Sequence, residues 1–298
     1  MAFGLILILI ASILSGLTFY YGGFYQSVSW LWLPFILALV YFWGLFLVYA
    51  LCLAAYGQAL KRHPEKTFPP TRFPQWLLSE TCYVLFWLFR VRFHASGVGK
   101  IPSPKTTFMI VSNHLSGFDH VGLASLFVRH RFVCVTKQAN ADVIAAGGLI
   151  RRAGYLSIVQ GDILSGTKVI EKAGAYIRDN VASVCIAPEG TRNKDFPNPT
   201  VLPFHPGSFQ MAYIAQCPIV VFAIQNTNAI LRRYPFRWTD VYFDCVGVLE
   251  YEEYKDLSPA QLAEKTRNMI LRRFEQKEAR FYHLPPKKQK EKDESHGD

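Results

Sequence analysis

The first part of the chain consists of two long apolar runs. No Asp, Glu, Lys, Arg or His occurs from Met1 to Leu60. A hydrocarbon core about 30 Å thick needs roughly 20 apolar residues in helical form, and both Ala2–Tyr21 and Trp30–Ala55 supply such a run. A cleaved signal peptide needs a positively charged start and a small-residue cleavage site, and neither is present. The pattern predicts a two-helix membrane hairpin over residues 1–60, with one span plus a re-entrant or interfacial segment as the alternative.

Basic residues follow the second run closely: Lys61, Arg62, Lys66 and Arg72. Lys and Arg near the end of a span favour the cytoplasmic side, so the rest of the chain is expected to face the cytoplasm, at a bacterial inner membrane or an endoplasmic reticulum. Residues 61–90 are predicted to form a basic linker and an interfacial helix, because Trp76–Phe89 is apolar but too short to span a membrane comfortably.

From Val91 onward, short strand-like runs alternate with helix-like stretches. The strand-like runs are Thr107–Ser112, Phe132–Thr136, Tyr155–Val159, Ser183–Ala187, Ile219–Ile224 and Val241–Val248. The clearest helical stretches are Ile163–Arg178, Gly207–Ala215 and Ser258–Arg280. This alternation predicts an α/β fold, a mostly parallel sheet flanked by helices. Residues 91–284 are predicted to form a catalytic domain, and residues 285–298 a disordered charged tail.

The formal net charge of +10 lies entirely from Lys61 onward. Such a surface can hold a domain on an anionic membrane leaflet, or attract an acidic carrier protein or the phosphates of CoA. A nucleic-acid partner is not expected, because the chain begins with apolar spans and shows no nucleic-acid-binding module.

A histidine and an aspartate follow the apolar run that ends at Ser112. Asp119 stands five residues after His114. An alcohol becomes a good nucleophile when a neutral imidazole takes its proton, and a carboxylate on the other ring nitrogen fixes the tautomer and stabilises the imidazolium. The pair predicts a general base, His114, oriented by Asp119. The alternative is a capped helix with a bystander histidine, and His120 is assigned to that bystander class.

A second motif stands at the end of another apolar run. Ser183–Ala187 is followed by Pro188-Glu189-Gly190-Thr191-Arg192. A strand that stops on Pro and Gly leaves backbone N–H groups free, and an Arg presented there can bind a phosphate through two hydrogen bonds. Glu189 can position Arg192 or contact the acceptor. The alternative is a structural turn with a surface arginine.

Together the two motifs resemble the glycerolipid acyltransferase family, whose best-known members are the 1-acylglycerol-3-phosphate acyltransferases. The resemblance covers roughly Val91 to Ile224 and includes Lys137 with Arg152-Ala153-Gly154, then Phe204–Gly207, then Pro218–Val220. It implies that His114 is the general base and Asp119 its partner. The substrate-binding residues it implies are Lys137, Glu189, Gly190, Thr191, Arg192 and Gly207.

The resemblance also implies a reaction. A fatty-acyl group would pass from an acyl-CoA or acyl carrier protein thioester to the sn-2 hydroxyl of lysophosphatidic acid, giving phosphatidic acid. No metal, other cofactor or covalent acyl-enzyme is implied. A hydrophobic tunnel in or under the domain would hold the fatty chain.

Three departures from the family's pattern leave the acceptor open. The second block usually has an Arg just after its strand, whereas this chain has no Arg there and reads Gln160. The third block usually has a basic residue before its glycine, and here His205-Pro206 stands in that place. The fourth block lacks its second proline and reads Val221-Phe222. The same chemistry on glycerol-3-phosphate, or on a lysophospholipid with another head group, therefore stays open. A non-enzymatic membrane lipid-binding protein with the same fold is the more distant alternative.

Overall fold

The computed structural model describes residues 2–61, 68–141, 147–159, 161–193 and 201–276. The elements are α1 (Ala2–Tyr21), α2 (Leu33–Lys61), α3 (Arg72–Leu88), β1 (Val91–Ser96), β2 (Met109–Ser112), α4 (Phe118–Leu126), β3 (Phe132–Lys137), α5 (Gln138–Ala141), α6 (Gly147–Arg152), β4 (Leu156–Ile158), α7 (Ile163–Arg178), β5 (Ser183–Ile186), α8 (Gln210–Ala215), β6 (Ile219–Gln225), α9 (Ile230–Arg233), β7 (Thr239–Leu249) and α10 (Pro259–Glu275). The predicted tail at residues 285–298 lies outside the described residues.

The two apolar runs form helices that pack on each other. α1 has the predicted bounds, whereas α2 begins at Leu33, after 3-10 turns at Phe24–Gln26 and Val28–Trp30. A 2.8 Å hydrogen bond joins the hydroxyls of Thr18 and Tyr41 across the pair. Most of the large apolar side chains on α1 and α2 face outward. Both helices are long and apolar enough to cross a membrane, which makes them candidate membrane spans.

The described strands form one seven-stranded sheet in the order β1-β7-β6-β2-β5-β3-β4. β4, β3, β5, β2 and β6 pair in parallel, β7 is antiparallel to β6, and β1 is parallel to β7. Every residue of β2, β5 and β6 is buried. Strands covered on both faces read as continuous apolar runs. The predicted α/β fold with a mostly parallel sheet is confirmed.

Two apolar cores lie on opposite faces of the sheet. Helices α7, α8 and α10 cover one face, and each contributes buried side chains to the core there, for example Ala173, Met211 and Ile270 respectively. Helices α3, α4 and α6 cover the other face. The predicted interfacial helix therefore packs under the sheet as α3, with Leu78 and Phe86 buried. α7 begins at the Asp162 N-cap, and α10 begins with a capping box at Ser258.

The topology brings the candidate residues to one edge of the sheet. β2, β3, β5 and β6 all end there, so the residues that follow them meet at that edge. Because β7 and β1 run the other way, their first residues, Thr239 and Val91, lie at the same edge. Ligands of open α/β sheets bind at the carboxyl ends of the parallel strands. The edge where β2 and β5 end is therefore the place to look for a site.

Candidate active site

His114 lies in the loop that connects β2 to α4. Asn113, buried directly before it, bonds both backbone groups of Ile224 in β6: its Nδ2 donates to the carbonyl oxygen at 3.0 Å, and its Oδ1 accepts from the N–H at 2.8 Å. This amide therefore ties the loop to the sheet edge. His114 is 8% exposed, and what remains accessible faces a cavity.

Asp119, in the first turn of α4, holds the imidazole. Its Oδ2 lies 2.8 Å from Nδ1 of His114 and also accepts from the backbone N–H groups of Leu115 (2.7 Å) and Ser116 (2.9 Å). The hydroxyl of Thr227 donates to Oδ1. An ionised carboxylate only accepts hydrogen bonds, so Nδ1 of His114 carries a proton, and in the neutral ring Nε2 is then the nitrogen with the lone pair. The geometry is that of a neutral imidazole held ready to take a proton.

Both backbone groups of His114 are bonded to the second motif or to the residue directly after it. The N–H donates to Oε1 of Glu189 at 2.9 Å, and the carbonyl oxygen accepts from the N–H of Asn193 at 2.8 Å. Between these two residues, Gly190 has a φ of +65°, a conformation that glycine adopts most readily. A Cβ there would also lie 3.1 Å from the ring of His205. The two motifs therefore form one bonded unit.

Two buried ionisable groups flank this unit. Burial raises the pKa of Glu189 from 4.5 to about 8, against backbone hydrogen bonds from His114 and Leu202 that favour the carboxylate. Burial, with the charge of a protonated His114 as a smaller cause, lowers the pKa of His120 from 6.5 to about 4. His120 is half-buried and lines the cavity, but its Nε2 is buried and has no hydrogen-bond partner among the described residues. His120 is therefore neutral near pH 7.

A cavity of about 660 Å³ lies against His114. Lys137, at the end of β3, and Arg192 place two cations on its wall. A Cβ on Gly117 would be 4.0 Å from a guanidinium nitrogen of Arg192, so this arginine extends to the loop that carries His114. An imidazole with a free nitrogen and two cations thus share one cavity.

A second cavity, of about 330 Å³, adjoins the first. Its walls are mainly apolar side chains from α2, α3, α4 and α6, with Leu53 and Leu78 as examples. Four residues line both cavities: Gly117, His120, Thr136 and Asn140. The imidazole of His120, 5.4 Å from that of His114 between ring centroids, stands where the polar and apolar spaces meet.

The six residues predicted to bind substrate fall into two groups. Lys137, Gly190, Arg192 and Gly207 line the first cavity. Glu189 and Thr191 do not line it. Glu189 is buried behind the wall and bonded to the backbone of His114, while Thr191 is exposed beside it.

Other residues of the family blocks lie away from the cavity. Arg152 stacks over the ring of Phe68 and donates to the hydroxyl of Thr71. Pro218–Val220 leads into buried β6 and lines neither cavity. Gln160, the departure in the second block, lies outside the described residues.

Two residues of the site were not identified from the sequence. Thr227 lies 108 residues from the Asp119 carboxylate that it bonds, and no local pattern marks it. His120 was assigned to a bystander role, whereas the structure places it on the walls of both cavities. Its position directly after Asp119, at the start of α4, was the available signal.

Comparison with known proteins agrees with the motifs. The family described as Acyltransferase matches residues 92–225, which contain both motifs. The 1-acyl-sn-glycerol-3-phosphate acyltransferase alpha of Mus musculus is 27% identical over 191 residues, 63% of this chain and 65% of that protein. The beta enzyme of Homo sapiens is 30% identical over 165 residues, 54% of this chain and 55% of that protein. The resemblance inferred from the motifs is confirmed.

These matches span less than two thirds of the length of the relatives. A solved structure extends the likeness in fold. The crystal structure of the 1-acyl-sn-glycerophosphate (LPA) acyltransferase PlsC from Thermotoga maritima covers 93% of this chain and 98% of that chain, with a TM-score of 0.51 and 19% identity. The chain therefore shares its α/β fold with that protein.

Proposed function

Given the acyltransferase-family domain at residues 92–225, we propose that the protein transfers a fatty-acyl group to the sn-2 hydroxyl of lysophosphatidic acid. The donor is the thioester of CoA or of acyl carrier protein, and the product is phosphatidic acid. One observation carries the proposal: His114, bonded to Asp119 at 2.8 Å, lines a cavity whose wall also holds Arg192 and Lys137. The names of the curated relatives, all 1-acylglycerol-3-phosphate acyltransferases, support this acceptor.

In this proposal His114 is the general base. Its Nε2 takes the proton of the acceptor hydroxyl as the oxygen attacks the thioester carbonyl carbon. A C–O bond forms, the C–S bond breaks, and the imidazolium returns its proton to the leaving thiolate. Asp119 stabilises the imidazolium and keeps Nε2 available. Glu189 and Asn193 are positioning residues that hold the backbone of the base.

The two cations of the cavity bind the acceptor phosphate. The guanidinium of Arg192 offers paired N–H donors that match a phosphate, and the ammonium of Lys137 adds a point charge. Both residues line the cavity with His114. A phosphate held there keeps the glycerol backbone, and with it the attacking hydroxyl, inside the cavity.

The apolar second cavity accepts the fatty chain of the donor. Its wall is formed by side chains such as Leu53, Leu78 and Ala124, and it adjoins the first cavity at Gly117 and His120. Burying methylene groups there is favourable by about 0.8 kcal/mol each. The thioester carbonyl then lies near the boundary between the cavities, beside His114.

We infer that α1 and α2 insert in the membrane and that the domain faces the cytoplasm. The outward-facing apolar side chains of both helices are more stable in contact with lipid tails than with water. The basic residues at the end of α2 and directly after it in the sequence, Lys61 and Arg62 first, favour the cytoplasmic side. A lysolipid acceptor reaches the enzyme from that membrane.

The test is release of free thiol from acyl-CoA and from acyl carrier protein in detergent micelles, with and without lysophosphatidic acid. We expect release that requires the lysolipid and is lost in His114→Ala. The matched control is His94→Ala, because His94 also bonds an aspartate, Asp240 at 2.9 Å, but lies on the surface outside both cavities. That variant should keep its activity.

Three other outcomes contradict parts of the proposal. Release that requires glycerol-3-phosphate or another lysophospholipid keeps the chemistry and changes the acceptor. Substantial turnover by His114→Ala rejects the base assignment. Retained lysolipid binding without release from any donor indicates a non-enzymatic lipid-binding protein.

A further inference from the structure

An aromatic and arginine-rich surface lies at the same sheet edge as His114. Residues 230–238, ILRRYPFRW, connect β6 to β7 at that edge, and the chain between α3 and β1 meets them there. We define the interfacial patch by six residues of these segments: Trp87, Arg90, Arg92, Phe236, Arg237 and Trp238. The mechanism proposed above uses none of them.

Large apolar side chains of the interfacial patch face outward. Phe236 is 88% exposed, Trp87 56% and Trp238 38%, and Leu231, in the same connection between β6 and β7, is 64% exposed. Contiguous exposed apolar groups rimmed by polar residues mark sites of protein or membrane contact. Here the rim consists of arginines, so the partner has apolar and anionic groups side by side.

The interfacial patch is held in place by its own contacts. Arg90 donates to the carbonyl oxygen of Pro235 at 2.7 Å, and Arg233 donates to that of Trp238 at 2.9 Å. The guanidinium carbons of Arg90 and Arg92 each lie 5.6 Å from the centroid of a Trp238 ring. A cation over an aromatic ring is an attractive pair. The exposed rings are thus presented on an ordered surface.

Aromatic contacts connect the interfacial patch to the apolar hairpin and to the site. The ring of Trp87 lies 6.0 Å from Phe42 in α2, and Phe89 lies 5.1 Å from Tyr234. Phe89 is also 5.2 Å from Phe118, which directly precedes Asp119. A bilayer that contains the part of α2 around Phe42 therefore comes close to Trp87 of the interfacial patch.

We propose that the interfacial patch docks the domain on the head-group region of an anionic phospholipid bilayer, beside the inserted hairpin. Tryptophan and other aromatic rings favour the interface, and each arginine near an anionic leaflet adds attraction. The nearest acidic residue of β7, Asp240, already pairs with His94 and Arg92. Docking turns the sheet edge with His114 toward the lipid surface. The inference rests on the proposed membrane insertion of α1 and α2.

A label at the centre of the interfacial patch tests this without measuring turnover. Cys52 is the exposed cysteine of the chain, so Phe236→Cys in a Cys52→Ser background takes an environment-sensitive fluorophore at one position. The full-length protein is reconstituted in phosphatidylcholine vesicles with or without phosphatidylglycerol. We expect emission to shift to shorter wavelength, and nitroxide-labelled lipids to quench it, in the anionic vesicles.

The matched position is Lys105, which is exposed and precedes β2 at the opposite edge of the sheet. A label at Lys105→Cys should show neither the shift nor the quenching. Neutralising Arg237 with Arg237→Gln should lower the docking equilibrium about five-fold, which corresponds to about 1 kcal/mol per arginine. The control Lys105→Gln should leave it unchanged.

Equal responses at residues 236 and 105, or no difference between the two vesicle compositions, would overturn the proposal. A response that needs added acyl carrier protein instead of anionic lipid would assign the interfacial patch to a protein partner and overturn it equally. The labelled His114→Ala protein should respond like its parent. Failure of the acyltransferase proposal can thus be told apart from failure of docking.

Discussion

His114 is held by a neighbour in the sequence, which bonds its imidazole, and by a distant part of the chain, which bonds its backbone. Asp119 bonds its Nδ1, and Glu189 and Asn193 bond its backbone. Because these groups orient the base without lining the reaction space themselves, their contributions can be measured separately from that of the base.

The most direct residue to test is Thr227, whose hydroxyl bonds Asp119 and which lines neither cavity. Thr227→Val removes that donor while keeping a branched side chain. A hydrogen bond to a charged group contributes about 1.5–3 kcal/mol, so kcat should fall between about 10-fold and 150-fold. KM for both substrates should change little. Steady-state thiol release measures both constants.

The matched variant is Thr227→Ser, which keeps the hydroxyl and should turn over close to the parent protein. If both the valine and the serine variant are as active as the parent protein, the hydroxyl does not support the base. If both lose activity to the same extent, the effect comes from changed packing and not from the hydrogen bond.

Glu189 makes the stability of the protein depend on pH. Its pKa is about 8 in the folded chain and 4.5 ordinarily, so between these values the folded state binds more protons than the unfolded state. The free energy of unfolding therefore falls as pH rises through this range, by up to about 1.4 kcal/mol per pH unit. Glu189→Gln keeps an acceptor for the His114 N–H and has no proton to lose.

Thermal unfolding in detergent across that pH range measures the effect. The stability of Glu189→Gln relative to the parent protein should increase as pH rises. A control, Glu171→Gln, alters an exposed glutamate on α7, and its unfolding curves should run parallel to those of the parent. Parallel curves for Glu189→Gln would show that Glu189 does not hold its proton in the folded state.

Residues that act through local chemistry could be predicted, and those that act through the fold could not. His114 and Asp119 are close in sequence, and a histidine five residues before an aspartate indicates a general base with its carboxylate partner. Glu189 was expected to contact the acceptor or Arg192, but its partner is the backbone of His114, 75 residues away. Every residue except proline has the same backbone N–H, so the residue types in a sequence do not reveal which backbone group a side chain bonds. Thr227 was missed because it lies 108 residues from the Asp119 side chain that it bonds.

At the scale of elements, α4 determines where Asp119 lies. It approaches β7 so closely that a Cβ on Gly122 would be 2.1 Å from the ring of Phe243. That ring is fully buried and lies 4.9 Å from Phe93 in β1, so it has little space to move. The glycine lets the helix approach the sheet and keeps Asp119 within reach of His114.

Gly122→Ala should therefore lower stability and turnover together. Overpacking a core costs about 1–3 kcal/mol, and the helix propensity of alanine offsets up to about 1 kcal/mol of it. We expect a net loss of roughly 1–2 kcal/mol, measured by thermal unfolding. In the control Gly166→Ala, on α7, the added Cβ meets nothing within 4 Å, and stability should stay level or rise. Equal melting temperatures for both variants would contradict the close packing.

The elements themselves could be predicted where burial is complete on both faces. β2, β5 and β6 gave continuous apolar runs, whereas the edge strand β1 was missed because only Val91 of its six residues is buried. The predicted interfacial helix, Trp76–Phe89, begins after Pro74. Proline is tolerated in the first turn of a helix, and α3 begins at Arg72. The predicted helix Gly207–Ala215 proved to be a 3-10 turn followed by α8.

At the scale of the whole molecule, the hairpin is part of the wall of a cavity. Phe46, Tyr49, Ala50 and Leu53 of α2 face the apolar second cavity across from α3. The hydroxyls of Tyr49 and Thr81 bond α2 to α3. The division into a hairpin (residues 1–60) and a catalytic domain (residues 91–284) remains a prediction, and residues from both parts line this cavity. In the proposed mechanism, membrane anchoring and recognition of the fatty chain therefore share one helix.

Enlarging a side chain of α2 should consequently change which donors are accepted. Ala50→Phe fills part of the second cavity, so long-chain acyl-CoA should lose kcat/KM about four-fold for each methylene group that no longer fits, while short donors are little affected. Ala55→Phe, on the exposed side of the same helix and outside the cavity wall, is the matched control and should keep the parent preference. Thiol release with a series of chain lengths measures this. A uniform loss for all donors in Ala50→Phe would mean that the fatty chain lies elsewhere and that α2 serves insertion alone.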